Sequence, residues 1–271
     1  MSQPKLEIPE EIQEAMKDVK HKIVVLSGKG GVGKTTVATN LAMSFSKQGL
    51  STGLVDVDIY GPNVPKLLGL EGQHPVAEEN KIHPIEGPLG VKVMSMGFLL
   101  RNEDDAVAWR GPLVARAISQ FLSDVKWGKL DLLVADLPPG TGDEILSILQ
   151  SIPNIDGVVI VSTPQEVAVQ DARRAIQLVN KMGVPVLGII ENMSEFICPE
   201  CGSSYQIFGG GAAKEASERY EVDYLGSLPL DPRVTTASDR GTPFVIQEPD
   251  SLAAERFEEI VTKLKEKIGA S

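Results

Sequence analysis

Eight consecutive residues, Gly28-Lys29-Gly30-Gly31-Val32-Gly33-Lys34-Thr35, fit the pattern G-x-x-x-x-G-K-[ST] between an apolar run and a helix-forming stretch. That spacing suits a polyphosphate. Glycines let the backbone wrap closely and aim successive N–H groups at phosphate oxygens. The start of the following helix adds partial positive charge. Lys34 is placed to reach the β- and γ-phosphates, the Thr35 hydroxyl to ligate Mg²⁺, and Thr36 to continue the cradle. The same letters satisfy G-x-G-x-x-G at Gly28, Gly30 and Gly33, with Asp56 downstream. A dinucleotide motif, however, has no use for Lys34-Thr35 or for a second acidic strand end at Asp136.

Two acidic strand ends follow. Leu130 to Asp136 is an apolar run ending in a carboxylate, where a partner for Mg²⁺ should stand. Pro138 to Asp143 follows as a glycine-flanked loop in which Gly140 can turn an N–H toward a γ-phosphate. Asp56-Val57-Asp58 closes an earlier strand. Alternation along a strand lets both acids face the ligand crevice, and Asp58 is the candidate for orienting the attacking water. Helix capping competes, above all for Asp56.

The chain has two cysteines, Cys198 and Cys201, separated by two residues, and three histidines, His21, His74 and His83. A tetrahedral zinc site or a [4Fe–4S] cluster usually takes four ligands. One chain cannot supply four thiolates, whereas two chains on a two-fold axis can. From the residues alone a bridging cluster, a bridging zinc, a redox dithiol and an inert pair all stand open.

These groups need a scaffold, and the pattern of apolar runs supplies one. Runs at Ile23–Leu26, Gly53–Asp56, Val91–Met94, Leu130–Ala135, Val158–Val161 and Val186–Ile190 alternate with helical stretches at Lys34–Gln48, Leu113–Val125, Asp143–Leu149 and Glu166–Met182. The fold class expected is α/β, three-layer, with a mostly parallel β-sheet carrying helices on both faces. Residues 1–21 form a lead-in with one small amphipathic helix after Pro9, and 22–271 a single ATPase domain with a surface excursion over 71–90. Composition is ordinary at 42% hydrophobic and 23% charged, with a net charge of -11. Such acidity argues against nucleic acid as a partner. No run is apolar enough to span a bilayer, and the polar, acidic Met1–Lys20 is no secretory signal, so a cytoplasmic protein is expected. The last helix, Ser251–Ile268, balances four acidic against four basic residues. A helix lying on a membrane should be basic, so docking on the domain's own core is expected.

The lysine directly after the first glycine, Lys29, makes the loop resemble the deviant Walker A of the MinD/ParA group of ATPases. Asp56-Val57-Asp58-Ile59-Tyr60-Gly61-Pro62 looks like that group's first switch and Asp136 to Asp143 like its second. Trp109-Arg110-Gly111-Pro112, Glu191-Asn192-Met193, Cys198-Pro199-Glu200-Cys201 and Phe208-Gly209-Gly210-Gly211 narrow the likeness to the Mrp/ApbC branch of iron–sulfur cluster carriers, over roughly residues 22–245. The resemblance implies ATP with Mg²⁺, and a Lys29 that reaches phosphate across a face-to-face homodimer. It implies that Asn192 contacts the adenine, that Leu228-Pro229-Leu230 borders the base, and that Cys198 and Cys201 share a [4Fe–4S] cluster between subunits for delivery to apo iron–sulfur proteins. A positioning ATPase of the MinD/ParA type would need a membrane-binding or DNA-binding surface. A nitrogenase-type electron donor carries its cysteines in separate segments.

Overall fold

The computed structural model describes residues 8–79, 81–99, 111–198 and 200–270, with backbone alone over 111–117. Trp109-Arg110 and Pro199 of the motifs above lie outside the described residues. A helix α1 (Glu10–Ala15) precedes β1 (Val19–Ser27), which leads through the glycine-rich loop into α2 (Lys34–Lys47) and β2 (Thr52–Asp56). After α3 (Val64–Leu67) come β3 (Ile85–Glu86) and β4 (Lys92–Ser95), α4 (Gly111–Asp124), β5 (Leu130–Asp136), α5 (Asp143–Ser151) and β6 (Gly157–Ser162). The chain continues with α6 (Glu166–Lys181), β7 (Val186–Glu191), α7 (Ala212–Arg219), β8 (Tyr224–Ser227), α8 (Pro232–Asp239), α9 (Phe244–Gln247) and α10 (Leu252–Ile268).

The strands form one eight-stranded sheet in the order β8-β7-β6-β1-β5-β2-β4-β3. Every pairing in it is parallel except β3 against β4. Burial on both faces explains the apolar strands. Along β1, Val24 and Leu26 join the core beneath α1, α4, α5 and α6, while Ile23 and Val25 join the core beneath α2 and α10. The layers read from the sequence are the layers found.

Differences fall at the margins of elements. The helix after Pro9 ends at Ala15, and Val19 and His21 already pair with Leu130 and Leu132. The 71–90 excursion contains the edge strand β3 and a two-residue ladder, Ala77–Glu78 on Lys81–Ile82. Ser251 stands outside the last helix as its N-cap, accepting from the Ala254 N–H at 3.2 Å. Phe257, Ile260, Val261 and Leu264 of α10 are buried against the sheet. No helix among the described residues is long and apolar enough to cross a membrane.

Candidate functional site

β1, β2, β5 and β7 all end at the same edge of the sheet. Outward chain reversal beside the central β1 opens a crevice there, as open α/β sheets do at a topological switch point. A cleft of about 680 Å³ fills it, lined by Gly30, Gly31 and Gly33, by Lys34, Thr35 and Thr36, and by Asp58, Asn192 and Pro229. Two close approaches explain the loop's glycines. A Cβ on Gly28 would stand 2.2 Å from the Asp171 carbonyl carbon of α6. Gly33 has φ +82°, and a Cβ there would meet the Asn192 amide nitrogen at 2.3 Å.

At the floor, Lys34 is buried and its Nζ lies 2.6 Å from Asp136 Oδ1, 3.2 Å from Thr35 Oγ1 and 3.8 Å from Asp58 Oδ2. Burial raises the Asp136 pKa, and Lys34 and then Thr35 beside it pull it back. The other Asp136 oxygen, Oδ2, is buried without a partner among the described residues. An orphaned carboxylate oxygen beside a threonine hydroxyl is a donor set that suits Mg²⁺. Lys29 is part-exposed and is not among the residues lining the cleft; its carbonyl accepts from Ser27 Oγ at 2.9 Å.

Asp56 and Asp58 separate in role. Asp58 lines the cleft, and its Oδ1 accepts from the Tyr60 and Gly61 N–H groups, both at 3.2 Å. Burial raises its pKa, with Lys34 opposing. Asp56 sits below, fully buried, opposite Asp136 in register, and does not line the cleft. Its Oδ2 accepts from Ser95 Oγ at 2.7 Å and its Oδ1 from the Asp58 N–H at 3.0 Å. Burial first, then the Asp136 charge, pushes its pKa up to about 8. Lys34 keeps Asp136 company, so the shared proton resides on Asp56. The expectation that both acids face the ligand is therefore corrected. Asp56 braces the Asp58–Val64 turn from beneath, with Ser95, which sequence reasoning passed over.

Gly140 also differs from expectation. Its N–H is donated to Ser27 O at 2.8 Å rather than directed into the cleft. Asn192 faces the cleft next to Leu228 and Pro229, and its Nδ2 donates to Val32 O at 2.9 Å. A second interaction of the loop was not legible in its motif.

The cysteines sit apart, on a hairpin whose ladder pairs Phe196–Ile197 with Ser204–Tyr205. Cys198 donates its N–H to Ser203 O and accepts from the Gly202 N–H, both at 2.9 Å, which closes a tight turn. Both are free thiols, Cys198 half-buried and Cys201 exposed. Hydrogen bonding to the Ser203 hydroxyl (3.3 Å), then to the Ser203 backbone and Cys198, lowers the Cys201 pKa. The thiolate is the metal-binding form. No group of three or more metal-ligating side chains occurs among the described residues.

With this geometry in view, comparison with known proteins gives a consistent answer. The model of the family described as ParA, NUBPL iron-transfer P-loop NTPase, matches residues 18–265. The chain belongs to that iron-transfer P-loop NTPase family. An iron–sulfur cluster carrier protein of Methanocaldococcus jannaschii is 50% identical over 257 residues, 95% of this chain and 88% of the relative. One from Saccharolobus solfataricus is 48% identical over 253 residues, 93% and 86% of the two chains. Among solved structures, a nucleotide-binding protein from Archaeoglobus fulgidus in complex with ADP, with cobalt found in it, superposes at TM-score 0.79 and 39% identity. It covers 92% of this chain and 96% of that one. The cell division ATPase MinD of Pyrococcus furiosus shares the fold at TM-score 0.70 and 23% identity. This iron-transfer family is the one whose motifs the sequence resembles.

Proposed function

We propose that this chain binds and hydrolyses Mg-ATP, holds a [4Fe–4S] cluster between two copies of itself, and passes that cluster to apo iron–sulfur proteins in the cytoplasm. The observation that carries the reading is the cysteine turn. It offers two adjacent thiols at the surface, one of them with a depressed pKa, on a chain with no third cysteine. Four thiolates then require a second copy.

On this reading Gly28 to Thr36 wrap the phosphates, and Lys34 moves its charge from the carboxylates to the β- and γ-phosphate oxygens. Thr35 and Asp136 hold Mg²⁺. Bound there, the ion would neutralise charge on the phosphates. Asp58, held by two backbone N–H groups, orients water for attack on the γ-phosphorus as the bond to the β-phosphate oxygen breaks, releasing ADP and phosphate. Its raised pKa brings it nearer the operating pH of a base. Lys29 reaches the partner's phosphates. Asn192 and Pro229 border the adenine, the amide oxygen of Asn192 accepting from the base while its nitrogen stays on Val32.

Cys198→Ala tests the division of labour. Mg-ATP affinity measured by calorimetry should stay within about twofold, since the loop is a separate segment. Cluster transfer, followed as activation of an apo-acceptor, should disappear. Transfer at the wild-type rate by this variant would remove the cysteines from the reading.

A further inference from the structure

The hairpin that carries the thiols is nearly free of charge. Glu200 is the one charged residue in the stretch 196–211, in a chain of net charge -11. Every residue from Cys201 to Ile207 is exposed, and Phe208 is half-buried. Two large apolar side chains stand out there, Tyr205 at 54% exposure and Ile207 at 55%, and neither lines the nucleotide cleft. A single exposed apolar residue is ordinary. Two of them beside a pair of free thiols ask for a partner.

The ladder fixes where they stand. Phe196 pairs directly with Tyr205, and Cys198 donates its N–H to Ser203 O at 2.9 Å. Alternation along a strand then puts Tyr205, Phe196 and Cys198 on one face. Tyr205 is two residues from the level of Cys198, about 7 Å at the rise of a strand. The Ile207 N–H returns to Tyr205 O at 3.1 Å, which keeps Ile207 beside it. The base of the hairpin is held as well. Phe196 bridges to Leu230, and the Ser204 hydroxyl bonds the Glu195 carboxylate, the nearest acid on the incoming side.

We propose that this hairpin face, centred on Tyr205 and Ile207, is the surface on which a second copy of the chain docks, forming an apolar collar around the shared cargo. The inference rests on the reading that two thiols from each of two copies grip one cluster. Such a cluster lies on the two-fold axis, and a two-fold contact sets a patch against its own copy. With the axis beside Cys198, Tyr205 and Ile207 are within side-chain reach of the partner. Self-contact also places each charge near its like, and two acidic chains repel. One charge in the stretch 196–211 keeps that cost small. Tyrosine-rich, charge-poor surface is the composition of an interface core. An apolar shell around a metal centre also controls the access of water to it.

The test uses the full-length chain, reconstituted anaerobically with iron and sulfide. Sedimentation over a dilution series gives the dimer Kd, and removal of iron by bipyridine gives the rate of cluster loss. The double variant Tyr205→Ser/Ile207→Ser should weaken the dimer and speed iron loss by at least about tenfold each, as expected when an interface anchor is truncated. Its melting temperature and Mg-ATP affinity should match wild type, because both side chains are exposed and lie away from the cleft. Tyr205→Phe keeps the ring and should behave as wild type. Val76→Ser, at an apolar position 59% exposed on the 71–90 excursion, should also change nothing. A double variant with the wild-type Kd and iron-loss rate overturns the proposal, as does an equal loss in Val76→Ser. Unchanged dimerisation with slower transfer to an apo-acceptor would give the patch to the acceptor and overturn it too. Wild type that holds its cluster as a monomer, or takes up none, overturns the proposed function itself, and that result is read before any variant is made.

Discussion

Three buried carboxylates and one lysine lie at the floor of the cleft or beneath it, and their partners differ. Asp58 takes two backbone N–H bonds on Oδ1 and leaves Oδ2 toward the cleft. Asp58→Asn keeps an oxygen for those N–H groups, so the switch should hold its shape. Its turnover number should fall by about 10²-fold while ATP affinity changes only a few-fold, because a water-orienting group acts mainly in the transition state. Steady-state kinetics with calorimetry checks this, and lost affinity with intact turnover would make Asp58 a binding group. Asp56 makes a separate prediction. Its pKa rises from the ordinary 3.8 to about 8 in the fold. A raised carboxyl pKa means the folded state holds a proton the unfolded state releases. The stability gained is whole below the unfolded value and declines as pH rises, until it is gone above about 8. Melting temperature should therefore fall between about pH 4 and about pH 8. In Asp56→Asn, which cannot ionise, that part of the slope should vanish. Parallel pH profiles for the two proteins would contradict the buried proton. The carboxylates themselves were legible as strand ends. Asp58 was singled out for the water and a capping role was weighed for Asp56, but the partners of Asp56 were not legible, because Ser95 and Asp136 are brought beside it by pairing of strands distant in sequence.

At the scale of elements, the phosphate loop is shaped by what passes behind it as much as by its ligand. α6 runs so near that Gly28 has room for no side chain. Gly28→Ala should force α6 and the loop apart and destabilise the fold by about 1–3 kcal/mol, the usual range for overpacking. Urea unfolding at constant m-value measures it, and an unchanged midpoint would show that the backbone gives way freely. The strands and long helices were legible because burial on both faces leaves continuous apolar runs, because α6 carries clear helical periodicity, and because α2 is a helix-forming stretch closed by Gly49. β8 was missed: Tyr224-Leu225-Gly226-Ser227 holds one fully buried residue, Leu225, too short a signal to distinguish from a turn. Gly140 was misjudged for another reason. Sequence indicates that a glycine N–H is free to turn, while the Ser27 carbonyl that receives it belongs to a neighbouring strand end.

Over the whole molecule, the nucleotide-loop cleft and the cysteine turn both lie beyond the carboxyl edge of one sheet. β1 carries the phosphate loop, and β7 runs directly into Asn192 and on to the cysteine turn. The helix α10, balanced in charge, spends its apolar face on the core rather than displaying it. The family could be read from the motifs; the separation of Cys198 and Cys201 from a third metal-ligating side chain among the described residues became plain only when the hairpin was placed. That isolation makes the central claim a matter of counting. The direct measurement is anaerobic reconstitution with iron and sulfide, followed by iron, sulfide and zinc analysis together with molecular mass in solution. The account predicts about four irons and four sulfides per two chains, on a species of dimer mass, with loading and dimerisation lost together when either cysteine is replaced. A full cluster on a monomer, or stoichiometric zinc with no capacity for iron and sulfide, would contradict it.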